Sequence, residues 1–237
     1  MWSRQTHLML SEHEMRRRLA EVNDRISAAA RRSSRDPGAI CLVLASKTQH
    51  PDAILAAYRA GARHFGENYV QEAMAKRTRL DDLADVRWHL IGHLQSNKAR
   101  PAASMFDLIH SLDSMRLAQA LHKVHPIPPV RVLLEINLGA ETSKRGILPG
   151  DAERLLAEVR DQVEVAGLMA IPPPTPRAEH SRPYFSRLRE MRDTLAARSG
   201  LRLRELSMGM TDDFEVAIEE GATIVRVGRA VFGERPP

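Results

Sequence analysis

Apolar and polar positions along the 237 residues alternate between a helical and a strand period, and that alternation predicts the architecture. The chain begins with a helical pattern. Leu19, Val22, Ile26 and Ala30 share one stripe, downstream of Ser11 and Glu14 at capping-box spacing. Arg16-Arg17-Arg18 and Arg31-Arg32 are assigned to the solvated side, and Pro37-Gly38 closes the segment.

From there short β-branched runs and helical stretches take turns. Strands are predicted over 40–45, around 64–65, and over 86–91, 106–110, 130–137, 163–171, 203–207 and 223–227. Helices are predicted over 52–60, 69–83, 96–105, 114–122, 151–161, 183–199 and 213–220, with Gly61, Gly200 and Gly221 as stops. Strand–helix alternation implies parallel pairing, and eight such units in a chain of this length match a (β/α)8 barrel. A doubly wound sheet would alternate too, but no GxGxxG turn follows the first strand. The expected fold is therefore α/β: one (β/α)8 TIM barrel over 1–237, with an additional N-terminal helix within 1–36 packed on it.

Composition narrows the class. Cys41 is the only cysteine, which excludes an intramolecular disulfide framework and a cysteine-rich zinc module. No apolar run approaches the roughly 20 residues of a membrane span, and residues 1–10 lack a signal-peptide pattern, so a soluble cytoplasmic protein without a membrane partner is expected. A formal net charge of +5 with 4% aromatic residues gives little footing to nucleic acid, so none is expected as partner. Amine chemistry is restricted to Lys47, Lys76, Lys98, Lys123, Lys144 and the N-terminus, since every other basic side chain is arginine.

In such a barrel the chemistry gathers at the C-terminal strand ends. Lys47 ends the first strand on the face of Cys41, Val43 and Ala45, which points inward. It reads either as an amine desolvated for attack on a carbonyl or as a strand-end lysine in solvent. Arg226 shares the inward face of the last strand with Ile224 and Gly228. Its guanidinium either pairs internally with Glu135 or donates to a ligand. Ser207-Met208-Gly209 and Gly228-Arg229 follow the last two strands, where barrels build phosphate cups, although ordinary turns also use such glycines. Asn68 reads as a helix cap bordering the mouth, with Gln71 as its capping-box partner. His89 and His93 have i, i+4 spacing but run from a strand through Gly92, so no metal site is expected, and Cys41 starts its strand far from the mouth.

Collinear motifs carry a resemblance across nearly the whole chain. They are Ala45-Ser46-Lys47-Thr48, Gly66-Glu67-Asn68-Tyr69-Val70-Gln71-Glu72, Trp88-His89-Leu90-Ile91-Gly92, Leu94-Gln95-Ser96-Asn97-Lys98, Ser143-Lys144, Gly167-Leu168-Met169-Ala170-Ile171-Pro172, Leu206-Ser207-Met208-Gly209-Met210 and Arg226-Val227-Gly228. The set resembles the pyridoxal phosphate homeostasis proteins, which are alanine-racemase N-terminal-domain-like barrels. The resemblance implies pyridoxal 5'-phosphate held by Lys47 as an internal aldimine, with Arg226 against the pyridine nitrogen. It further implies Ser207 and backbone donors around Met208, Gly228 and Arg229 on the phosphate, and Asn68, His89 and Met169 about the ring. An arginine at the ring nitrogen leaves the cofactor a poor electron sink, and the barrel uses up the chain. The implied role is a monomeric, non-catalytic carrier in vitamin B6 homeostasis, with cofactor-dependent apoenzymes as candidate recipients. A racemase-like enzyme is the alternative. Gln49 stands where many relatives have a second lysine and His93 where others have proline, while Lys144 keeps its place.

Overall fold

The computed structural model describes residues 11–124, 127–139 and 145–234. Its elements run α1 (Glu12–Arg32), β1 (Cys41–Ala45), α2 (Pro51–Arg59), β2 (His64–Glu67), α3 (Val70–Arg79), β3 (Arg87–Leu90), α4 (Ala99–Met105), β4 (Leu108–Leu112) and α5 (Met115–His122). They continue through β5 (Arg131–Glu135), α6 (Ala152–Val159), β6 (Glu164–Met169), α7 (Arg182–Ser199), β7 (Glu205–Ser207), α8 (Phe214–Glu219), β8 (Ile224–Val227) and α9 (Arg229–Phe232). The eight strands are parallel and close in sequence order, β8 returning to β1 with Cys41 opposite Ile224 and Val43 opposite Arg226. The expected (β/α)8 barrel is the fold. The short α9 was not anticipated, because four residues are too few to show a helical period.

Two apolar layers result from strand alternation. Inside the barrel, Val43, Leu108, Leu133, Ala166, Met169 and Ile224 pack together, with Cys41 and Ile91 beside them. The opposite strand faces, including Leu44, Phe65, Leu90, Ile109, Val225 and Val227, pack against the helices. Each fully buried aliphatic or aromatic side chain contributes about 1.5–3 kcal/mol.

Helix α1 lies outside this frame. Ser11 caps it by accepting from the Glu14 amide at 3.1 Å, and Met15, Leu19, Val22, Ile26, Ala29 and Ala30 are its buried face. That face packs on α2, α8 and α9. Arg25 fastens it with a two-pronged bond to Glu215 at 3.0 and 2.9 Å, its guanidinium over the Phe214 ring. Arg16, Arg17 and Arg18 pair with Glu12, Glu14 and Glu21 along the same helix, so the arginine triplet is compensated in place.

Candidate functional site

Lys47 follows β1 at the barrel mouth and is half-buried. The turn that carries it is built from below. The Ser46 amide continues the sheet by donating to the Gly66 carbonyl at 2.9 Å, and Thr48 has φ 67°, a left-handed conformation costly for a β-branched residue. What holds Thr48 there is a bond from its amide to Glu72 Oε1 at 2.5 Å. Beneath the turn, Lys76 and Glu67 are both fully buried. Lys76 Nζ donates to the Ser46 carbonyl, Glu67 Oε1 and Glu72 Oε1, each at 2.7 Å, and the Ser46 hydroxyl donates to Glu67 Oε1 at 2.6 Å. Burial pushes the Glu67 carboxyl upward, Lys76 pulls the other way, and Glu67 Oε2 has no hydrogen-bond partner among the described residues. Sequence reasoning missed this foundation. Glu72 and Lys76 are four apart on one helix, which was the available signal.

Arg226 lies inside the barrel with 5% exposure. Its Nη1 donates to the Ser207 carbonyl at 2.9 Å and to Ser207 Oγ at 2.5 Å, and Nη2 donates to the Ala170 carbonyl at 3.1 Å. Among the described residues it forms no ion pair with Glu135, so the internal pairing considered from sequence is replaced by carbonyl and hydroxyl acceptors. Burial lowers the Arg226 pKa to about 10, against the opposing charges of Asp213 and Glu135. Gly228 approaches β1 closely enough that a Cβ would stand 3.3 Å from the Ala45 carbonyl oxygen. Arg229 opens α9, whose first amides have no acceptor within the helix, while its exposed guanidinium pairs with Asp212 and Glu234.

Other residues expected at the mouth are placed as follows. Met208 packs in the helix-side core and its amide donates to the Ile224 carbonyl at 3.1 Å. Asn68 does not cap α3; Tyr69 holds the N-cap position without a side-chain bond, because the turn runs one residue further than capping-box spacing implies. Asn68 instead packs against Gly92, where a Cβ would stand 2.5 Å from the Asn68 carbonyl oxygen. Met169 is buried in the inner layer. Lys144 lies outside the described residues.

His89 sits below the mouth, in a line of imidazoles. His64 Nδ1 is 2.9 Å from His89 Nε2, His89 Nδ1 is 3.0 Å from His110 Nε2, and His110 Nδ1 is 2.9 Å from Ser207 Oγ. Burial holds all three rings neutral, with His89 pushed down to about 3 and His110 well below the usual range. Ser207 thus joins the Arg226 guanidinium to a buried polar chain.

At the end of β5, burial raises the Glu135 carboxyl from 4.5 to about 7, helped by Asp113 and opposed by Arg226 and Arg145. The folded chain holds this proton more tightly than the unfolded one, so the contribution is fully present below about pH 4.5 and lost as pH climbs through about 7. Glu135→Gln keeps the neutral form at every pH. Its Tm, relative to the parent, is expected to rise between about pH 4.5 and 7 and level off above that in a buffer-matched melting series; a constant offset would show that Glu135 does not titrate there.

The family model described as "Alanine racemase, N-terminal domain" matches residues 18–236. A pyridoxal phosphate homeostasis protein of Pseudomonas aeruginosa is 45% identical over 221 residues, 92% of this chain and 94% of that protein. The chain belongs to the pyridoxal phosphate homeostasis protein family. A second member, from Escherichia coli K12, is 44% identical over 92% of this chain and 95% of its own. Among solved structures, Synechococcus elongatus PipY with PLP bound is 39% identical, with TM-score 0.81 over 92% of this chain and all of PipY. An alanine racemase of Clostridium difficile, 11% identical with TM-score 0.68, shares the barrel fold over 95% of this chain and 58% of its own. No helix among the described residues is long and apolar enough to cross a membrane.

Proposed function

We propose that this protein binds pyridoxal 5'-phosphate at the barrel mouth, through a Schiff base at Lys47, and serves vitamin B6 homeostasis as a carrier rather than a catalyst. The observation that carries the reading is the buried Arg226–Ser207 pair on β8 and β7, Arg226 lying opposite Val43 on the strand that leads to Lys47. The donor set fits the group: an amine for the aldehyde, a guanidinium for the ring nitrogen, and a hydroxyl with a glycine-led helix start for the phosphate. Arg226 spends three of its N–H donors on Ser207 and Ala170, leaving Nε–H and one Nη2 hydrogen for a ligand. PLP in the structure of PipY, at 39% identity, supports the same assignment.

Arg226 stays a cation at neutral pH, so a ring nitrogen facing it stays unprotonated and withdraws electrons weakly. That argues for holding and release over carbanion chemistry. Glu135, titrating near neutrality at the end of β5, is the observation that favours the racemase-like alternative, since it is poised as a proton acceptor. Exchange of the α-proton of an added amino acid at enzymic turnover would favour that alternative over the carrier.

Borohydride reduction of the PLP-loaded protein, followed by peptide mapping, tests the site. A single adduct at Lys47 is expected, with the visible absorption lost in a folded Lys47→Ala variant. Recovery of the adduct only at another lysine would overturn the assignment.

A further inference from the structure

We propose that the lower end of the barrel, opposite the mouth, holds a divalent cation of the zinc class on Cys41, His64 and His89. This reading does not depend on what binds at the mouth, although the imidazole line behind the ligands ends on Ser207. One donor atom of each of the three side chains lies within 4.8 Å of the other two. Cys41 is the first residue of β1 and His64 the first of β2, both half-buried and within reach of solvent, while His89 lies inside on the neighbouring β3. One thiolate and two imidazoles suit zinc and its neighbours in the transition series, not magnesium or calcium. Three protein ligands also leave a fourth position for water.

The two imidazole nitrogens need little adjustment. Two nitrogens at about 2.0–2.1 Å from a tetrahedral zinc stand about 3.3 Å apart, and His64 Nδ1 and His89 Nε2 are already 2.9 Å apart. A pair of imidazole nitrogens this close shares one proton in the metal-free chain; a cation replaces that proton with two metal–nitrogen bonds. Behind His89 the outer bonds are in place. His89 Nδ1 meets His110 Nε2 at 3.0 Å, and His110 Nδ1 meets Ser207 Oγ at 2.9 Å. Such partners fix the tautomer of a ligating histidine and strengthen it as a donor.

The proton balance follows from the same chain. With the cation on His89 Nε2 and His64 Nδ1, the rings carry their protons on His89 Nδ1, His110 Nδ1 and His64 Nε2. His89 then donates to His110, and His110 to Ser207. Each imidazole keeps one proton and stays neutral. The single proton that leaves is the Cys41 thiol proton, released to solvent as the metal–sulfur bond forms. The Ser207 hydroxyl hydrogen is turned away from His110. Glu205 lies near enough to the thiol for its negative charge to act there and would favour the cation, while Arg131 acts on His89 in the opposite sense. A thiol gives up its proton when its sulfur binds a metal, so metal binding and proton release are coupled.

Titration of the ligand-free full chain with Co2+, a spectroscopic substitute for zinc, tests the proposal. Cys41 is the only cysteine, so a thiolate-to-cobalt charge-transfer band reports on it alone. One equivalent is expected to saturate this band, together with the intense visible bands of four-coordinate cobalt and release of one proton; Zn2+ should displace both bands. Cys41→Ser should abolish the charge-transfer band. His64→Gln, a change at a half-buried strand end, should weaken Co2+ binding by about 100-fold or more, at or beyond the upper end of what loss of an outer partner costs. A parent protein that shows no thiolate band at saturating Co2+, or a band of unchanged affinity in a folded His64→Gln variant, would overturn the proposal.

Discussion

Lys76→Met is expected to lower the melting temperature of the ligand-free protein by roughly 6–20 °C. Lys76 is fully buried, and its Nζ donates to Glu67, Glu72 and the Ser46 carbonyl at 2.7 Å each. Methionine fills the same volume but leaves Glu67 buried without its cation. Removing one partner of a buried pair costs about 3–5 kcal/mol, and in a chain of this size each kcal/mol is worth roughly 2–4 °C. The defect lies in the orphaned carboxylate, so Lys76→Met combined with Glu67→Gln should recover much of the loss. Glu67 Oε2 already lacks a hydrogen-bond partner among the described residues, which makes the neutral amide a milder guest than a second unpaired charge. Thermal melts of the parent, the single and the double variant separate these outcomes. A single variant within 2 °C of the parent, on that scale of roughly 2–4 °C per kcal/mol, would show that the pair carries no net stability. The same variants report on function: Glu72 pins Thr48 in its left-handed turn, so loosening Glu72 should reduce cofactor trapped at Lys47 even below the melting range, and the double variant should restore only part of it.

How far this was readable from sequence depends on which distances in the chain each feature spans. Strand alternation alone put Cys41 and Val43 inside and Leu44 outside, and likewise Ile224 and Arg226 inside with Val225 and Val227 outside; the packing agrees at every one of these positions. The reason is local, since side-chain direction in a strand is a period-two property. Lys76 was only partly readable, for the opposite reason. Glu72 four residues earlier was a visible partner, but beside Arg77 and Arg79 the lysine looks like a solvated helix end, and only the packing of α3 back on β2 brings Glu67 onto it. The imidazole line needs more still. His64, His89 and His110 come from three strands at positions only inter-strand register can align, and Ser207 reaches His110 across 97 residues. Asn68 marks the remaining kind of error: a capping pattern is weak evidence of where a helix starts when a neighbouring glycine, here Gly92, lets the preceding turn pack one residue further on.

Gly167→Ala is expected to prevent accumulation of folded protein. Gly167 lies on β6 directly opposite Glu205 on β7, and a Cβ at this position would stand 1.9 Å from the Glu205 carbonyl oxygen, 2.7 Å from its carbon and 2.8 Å from its nitrogen. All three are backbone atoms, so no side chain can rotate aside; the two strands must part. Ordinary overpacking costs about 1–3 kcal/mol because neighbours yield. Here yielding means surrendering the β6–β7 ladder, and β7 is only the three residues Glu205–Ser207. That ladder also carries the site, for Met169 pairs with Ser207, and Arg226 donates to both Ser207 and the carbonyl of Ala170, the residue that follows β6. A single methyl group thus opens the barrel and scatters the acceptors of the buried guanidinium. Gly150→Ala is the control, since nothing lies within 4 Å of its added Cβ, and surface changes of that kind stay within about 0.5 kcal/mol. Soluble yield, circular dichroism and cofactor loading of the two variants decide the matter. A Gly167→Ala protein that folds and loads PLP like Gly150→Ala would mean that β6 and β7 can separate without cost to the mouth, and the dependence of the Arg226–Ser207 arrangement on this strand pair would have to be abandoned.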